Sequence, residues 1–341
     1  MSKQPTFIEA LTQQGVSRRS FMKFAAITAS SLALSSQQAR VFAAALAAAP
    51  KPTVIWLSFQ QCTGCSESIL RSYGPDLSIE NLILNVISLD YHETLQVAAG
   101  YQAEKCRTDA MAAAYGKYVL IVDGSIPSGE TEFWSCAAGN SNLASLNEAV
   151  QGAALVIALG TCATFGGIPA AYPNPTHAAG YGDLVTQGLV KAEAGNTLPP
   201  YVNISGCPPL AAVITGTIAY FLTKGLPALD SLKRPTVFYG DTVHETCPRF
   251  EHWKANEFAT SHGDKGAQQG YCLLHLGCRG PEVRNACTKL GWNMDPNDDA
   301  SRILKNSPMH SGHGCLGCSE PNFWDTGVNN RFSKGFYTFQ T

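Results

Sequence analysis

Val54-Ile55-Trp56-Leu57-Ser58-Phe59-Gln60-Gln61-Cys62-Thr63-Gly64-Cys65 is an apolar run that breaks into a Cys-x-x-Cys turn. Its β-branched and aromatic residues predict a buried strand, and residues 66–73 predict the helix that follows. Further apolar runs at 82–89, 118–122, 154–159 and 201–204 predict more strands, with helical patterns at 94–115, 143–150, 183–194 and 210–224 between them. Near-continuous apolar strands alternating with helices define an α/β fold, a doubly wound parallel sheet. Such sheets bind ligands outside the carboxyl ends of their strands.

Two thiolates two residues apart at a strand end can grip one metal centre from the same side. Alone, the motif equally suits thioredoxin-like redox chemistry or half a zinc site. Here the arrangement recurs: Cys162 follows the run at 154–159 and Cys207 follows 201–205. Cys62, Cys65, Cys162 and Cys207 make the four thiolates of one iron–sulfur cluster. Gly160, Gly166-Gly167 and Gly206-Cys207-Pro208-Pro209 surround them with loop residues that let backbone amides approach sulfur. No Gly-x-Gly-x-x-Gly and no Walker motif accompanies the first strand, which removes the main support for a nucleotide site. Cys106, in a helical pattern, and Cys136, beyond the loop at 123–127, read as ordinary buried thiols outside any metal site.

Beyond a strand-like Val237-Phe238-Tyr239-Gly240 the periodicity fades, and half of the twelve cysteines fall between Cys247 and Cys318. His244, Cys247, Cys272 and Cys278 form a Cys3His set that suits an iron–sulfur cluster or structural zinc. Cys287, Cys315 and Cys318 lack an obvious fourth partner, and a cluster lacking one iron needs only three thiolates. Residues 320–325, Glu-Pro-Asn-Phe-Trp-Asp, read either as an exposed docking rim or as a helix start.

The chain of 341 residues is long enough for two domains. Its 45% hydrophobic and 15% charged residues imply that much of its surface is covered by something other than solvated charge. A net charge of −2 gives no reason to expect nucleic acid. Ser17-Arg18-Arg19-Ser20-Phe21-Met22-Lys23 matches the twin-arginine export pattern, with an apolar run and the Ala-rich 43–49 after it, the alternative being a chance Arg-Arg before a core helix. Residues 1–50 are therefore expected to be a leader outside the fold, removed after export in the folded state. No later apolar run of membrane-spanning length occurs.

Taken together, the twin-arginine pattern, Cys62-Thr63-Gly64-Cys65-Ser66-Glu67, Gly160-Thr161-Cys162-Ala163, Gly206-Cys207-Pro208-Pro209, His244-Glu245-Thr246-Cys247-Pro248 and Gly314-Cys315-Leu316-Gly317-Cys318-Ser319-Glu320-Pro321 resemble the small subunit of a periplasmic nickel–iron hydrogenase. The resemblance implies a flavodoxin-like domain over 51–230 and a smaller, irregular cluster-binding domain over 231–341. It implies a proximal 4Fe–4S cluster on Cys62, Cys65, Cys162 and Cys207. A distal 4Fe–4S cluster would sit on His244, Cys247, Cys272 and Cys278, and a medial 3Fe–4S cluster on Cys287, Cys315 and Cys318. Pro308 stands where relatives with a four-iron medial cluster place a cysteine, which implies the three-iron form. The nickel–iron centre would belong to a large-subunit partner, in a heterodimer or a dimer of heterodimers. This chain would then relay electrons to a cytochrome or a membrane quinone-reducing partner, with no nucleic acid involved. An electron-transfer subunit of another exported oxidoreductase is the alternative, and an exported protein held by zinc and disulfides a third.

Overall fold

The computed structural model describes residues 6, 8–9, 18–49, 51–71, 87–292 and 306–325. Five strands, β1 (Thr53–Ser58), β2 (Ser88–His92), β3 (Tyr118–Asp123), β4 (Ala153–Leu159) and β5 (Tyr201–Ile204), pair in parallel in the order β2-β1-β3-β4-β5. This is the flavodoxin order. Register aligns Ser58 with Asp123, Asp123 with Leu159, and Leu159 with Ile204, so four strands end in one row. The loops that leave this row carry the first cysteine group.

Helices α1 (Arg18–Ser31), α2 (Ser36–Ala48), α3 (Gly64–Leu70), α4 (Tyr101–Ala113), α5 (Asn142–Val150), α6 (Gly160–Phe165), α7 (Tyr181–Thr186) and α8 (Ala211–Lys224) surround the sheet. Alternate strand residues point to opposite faces. Val54, Trp56, Val119, Ile121, Leu155 and Ile157 pack toward α8, whereas Ile55, Leu57, Leu120, Val122, Val156 and Ala158 pack with residues of α4, α5 and α7.

Several expected elements differ. The strand expected at 82–89 is seen from Ser88 to His92, and 82–86 lie outside the described residues. The helix expected from 94 starts only at Tyr101, because 92–96 close a turn on His92 and Gly100 enters with φ +58. The helix expected over 183–194 ends at Thr186: Gly188 turns left-handed and the Leu189 amide returns to the Leu184 carbonyl, a Schellman closure. The strand-like 237–240 is a helical turn, Thr236–Tyr239, fastened by the Tyr239 hydroxyl donating to Ser205 O at 2.7 Å.

In the full-length chain the N-terminal segment forms α1 and α2, which pack together and onto α8, with Phe21, Phe24, Phe42 and Leu46 buried. Their apolar residues recur at helical spacing, which gives this segment a face that a folded apolar surface can cover. Among the described residues no helix is long and apolar enough to cross a membrane.

Among the described residues the C-terminal part has only short helical turns and builds no separate core. Val243, Val283, Ala286, Cys287, Met309 and Cys315 join the same apolar cluster as β1, β4 and α8. A buried ion-pair network pins it to the sheet domain. Arg234, 3% exposed at its side chain, donates to Asp230 at 2.8 Å, to Glu320 at 2.9 Å and to the Ser319 carbonyl at 3.2 Å. Its guanidinium also lies 5.1 Å from the Tyr239 ring centroid. Glu320 is thus neither an exposed rim residue nor a helix start; burial raises its carboxyl, and Arg234 opposes that. No helix follows Pro321 in 321–325, where Phe323 and Trp324 are half-buried.

Arg234→Met would leave the buried Glu320 carboxylate and the part-buried Asp230 carboxylate without this counter-charge. It is expected to lower stability by about 3–5 kcal/mol, read by chemical denaturation of the full chain. A loss below about 1 kcal/mol, the range of exposed pairs, would contradict this role.

His92 joins β2 to α3. Its Nδ1 accepts from the Thr94 amide at 3.2 Å, so Nε2 carries the proton toward Ser66 Oγ, 3.1 Å away. The ring also packs against Trp56 at 4.8 Å. Burial pushes the imidazole down from 6.5 to about 4. The unfolded chain therefore takes up the proton first as pH falls. The His92 contribution is complete above about 6.5 and is lost towards 4, on the order of 3 kcal/mol in all. Denaturation midpoints at pH 7 and pH 5 should differ less in His92→Gln than in the wild type; equal differences would refute the assignment.

Candidate metal centres

Cys62, in the loop past β1, is exposed, and Cys65 lies one residue into α3. Thr63 between them is left-handed at φ 69, a conformation costly for a β-branched residue, and the Gln61 side chain accepts its amide. This bend turns both thiols toward the row of strand ends. Cys65 Sγ sits 3.8 Å from the Leu159 carbonyl that closes β4. Cys162 follows on α6 and Cys207 on the loop after β5, whose Pro209 carbonyl accepts from Ser68 of α3.

Glycine is required where backbone meets these sulfurs. A Cβ at Gly160, φ +83, would fall 2.4 Å from Cys65 Sγ, and one at Gly167, φ +60, would fall 2.6 Å from Cys162 Sγ. Burial is the main cause that raises all three inner thiols: Cys65 well above its usual 9.0, Cys162 to about 11 and Cys207 to about 12. The neighbouring thiols and the Asp123 carboxyl push the same way, and burial holds Asp123 itself up at about 6. Clustered sulfur donors this reluctant to ionise together fit a cationic centre that neutralises them.

The second group lines one cavity. His244, Cys247, Cys272 and Cys278 face it, together with Arg249 and Met309. His244 Nε2 is buried with no hydrogen-bond partner, while the ring meets the stacked pair Phe250 and Trp253 edge-on, at 5.0 Å and 4.8 Å. An orphaned imidazole nitrogen among three thiols has the donor set and the unmet bonding capacity of a metal ligand. Burial also lowers the His244 pKa, keeping the lone pair available at neutral pH. Amides already point at the sulfurs: Arg249 N to Cys247 Sγ at 3.5 Å and Gly280 N to Cys278 Sγ at 3.5 Å.

The third group is the most enclosed. Cys287 and Cys315 are buried, Cys318 is half-buried as a residue, and burial is the first cause that raises each thiol, Cys287 to about 12. Charge interactions tie all three together. The group touches both others. The Cys315 amide donates to Cys278 Sγ at 3.2 Å, and the Cys318 and Cys207 thiols lie close enough to raise the latter.

All twelve cysteines are free, so no disulfide framework holds the fold. Cys106 and Cys136 stand apart from the three groups, but both are exposed rather than buried as expected. Cys106 is on the solvent side of α4, and Cys136 is in a two-residue strand paired antiparallel with Asn140–Ser141. Sequence reading missed the residues between the groups, Thr161, Arg234 and Asp123, because no spacing pattern marks a side chain that bridges loops far apart in sequence.

The family model described as NADH ubiquinone oxidoreductase, 20 Kd subunit, matches residues 62–221, and the model for the C-terminal part of the NiFe/NiFeSe hydrogenase small subunit matches 239–330. The periplasmic [NiFe] hydrogenase small subunit 1 of Nitratidesulfovibrio vulgaris is 41% identical over 318 residues, 93% of each chain. The quinone-reactive Ni/Fe-hydrogenase small chain of Wolinella succinogenes is 41% identical over 93% of this chain and 84% of its own length. Among solved structures, the [NiFeSe]-hydrogenase of Dm. baculatum superposes with a TM-score of 0.70 at 28% identity, covering 84% of this chain and 99% of that one. The strand-end cysteines and the irregular cysteine-rich tail thus fall within these two matches, and the chain belongs to the small-subunit family of nickel–iron hydrogenases, the electron-transfer partners of a large subunit.

Proposed function

We propose that this chain holds three iron–sulfur clusters in a line and passes electrons from a large-subunit nickel–iron site to an external acceptor. Cys62, Cys65, Cys162 and Cys207 would hold a proximal 4Fe–4S cluster. His244, Cys247, Cys272 and Cys278 would hold a distal 4Fe–4S cluster, and Cys287, Cys315 and Cys318 a medial 3Fe–4S cluster. Bound at these ligands, iron–sulfur clusters supply one-electron carriers.

One observation carries the linear order. The third group meets the first where Thr161, beside Cys162, donates to the Cys318 carbonyl, and the second where the Cys315 amide donates to Cys278 Sγ. The short segment Cys315-Leu316-Gly317-Cys318 is therefore the strap between the two outer sites. The residues around each site shape it in ways the chemistry needs. The amides on Cys247 and Cys278 stabilise negative sulfur, which favours reduction. A neutral His244 in place of a thiolate makes the distal site less negative. Burial of Cys287 and Cys315 excludes water from the middle of the line.

The twin-arginine pattern at 17–23 supports export of the folded, loaded chain to the periplasm. A cytochrome or a membrane quinone reductant is the acceptor class consistent with that location, and the Wolinella succinogenes relative is named quinone-reactive.

Metal analysis of the purified heterodimer tests the ligand count. About eleven iron atoms are expected in addition to the one paired with nickel. Stoichiometric zinc, or about four iron atoms or fewer, would overturn the three-cluster reading.

A further inference from the structure

Thr161 stands where the first and third cysteine groups meet. It is the second residue of α6, directly before Cys162, and only 1% exposed. Its hydroxyl acts in both directions. It donates to the main-chain carbonyl of Cys318 and accepts from the amide of Gly206, the neighbour of Cys207, at 3.0 Å. The Thr161 amide returns a bond to the Gly206 carbonyl at 2.9 Å. One residue thus fastens the Cys162, Cys207 and Cys318 loops to each other, across 157 positions of sequence in the last case.

The geometry suits a spacer. A β-branched side chain has few rotamers, so the backbone of α6 fixes where the hydroxyl points. The Cys318 segment has no strand or helix to hold it. It depends on side-chain ties such as this one and the Arg234 bond to the Ser319 carbonyl.

We propose that Thr161 is a positioning residue that sets the gap between the proximal and medial sites, through one hydroxyl bonded to both loops. The inference rests on the cluster assignment given above. In the step it governs, one electron leaves the proximal site and one is gained at the medial site. No bond forms or breaks, and the hydroxyl proton stays on Thr161.

The test uses the intact heterodimer with Thr161→Val, which keeps the shape without the hydroxyl, Thr161→Ala, and Thr161→Ser, which restores the hydroxyl. Rapid-freeze electron paramagnetic resonance after mixing with hydrogen follows loss of the oxidised 3Fe–4S signal. Hydrogen–deuterium exchange reports the large-subunit site independently. Thr161→Val and Thr161→Ala are expected to slow medial reduction several-fold, or to lose the medial signal alone, with isotope exchange unchanged and Thr161→Ser close to wild type. Medial reduction at the wild-type rate in either hydroxyl-free variant would overturn the inference, as would Thr161→Ser behaving like Thr161→Val. A wild type with no 3Fe–4S signal at all would instead refute the cluster assignment, and this inference with it.

Discussion

Buried sulfur that must carry negative charge is the constraint on which this structure turns. Cys65, Cys207, Cys287 and Cys315 are each raised first by burial, and neighbouring thiols push the same way. Such a cluster of donors is unstable as bare thiolates in a weakly polar interior and becomes favourable only against a cationic centre. The fold supplies rigidity where that balance is struck. A sheet buried on both faces ends in one row, and the loops leaving it are closed by glycines at positions where a Cβ would strike sulfur.

The C-terminal half meets the same constraint with fewer regular elements. Its candidate ligands lie on short turns, and backbone amides directed at Cys247 and Cys278 take the place of a helix or strand as the source of local polarity. Arg234 holds the end of this half to the sheet domain through the Ser319 carbonyl and the Glu320 carboxylate. Asp230 and the Tyr239 ring keep the guanidinium in place. The apolar cluster runs without a break from β1 to Cys315. Two regions separable in sequence therefore share one core, which is a reason to expect that the relative placement of the three groups is fixed by packing.

Much of this is legible in the amino-acid sequence. Buried parallel strands announce themselves as continuous apolar runs, and the runs for β1, β3, β4 and β5 lie within a residue or two of the strands themselves. The cysteines after β1, β4 and β5 follow from those placements, and the structure brings them together. Tertiary contact decides the rest. Val237-Phe238-Tyr239 has strand composition, yet the bond from Tyr239 to Ser205 favours a helical turn. Glu320 reads as a surface acid because its partner, Arg234, is 86 residues away. The apolar N-terminal segment can be read as an export signal or as a core helix, but its packing partner, α8, is set by tertiary contact alone.

The central claim is that electrons from hydrogen pass through this chain in three steps. Electron paramagnetic resonance of the oxidised heterodimer, before and after equilibration with hydrogen gas, tests it most directly. An oxidised 3Fe–4S signal is expected to disappear under hydrogen while signals of reduced 4Fe–4S clusters grow in. Iron–sulfur signals that hydrogen leaves unchanged, in a heterodimer that still exchanges hydrogen isotopes, would contradict it.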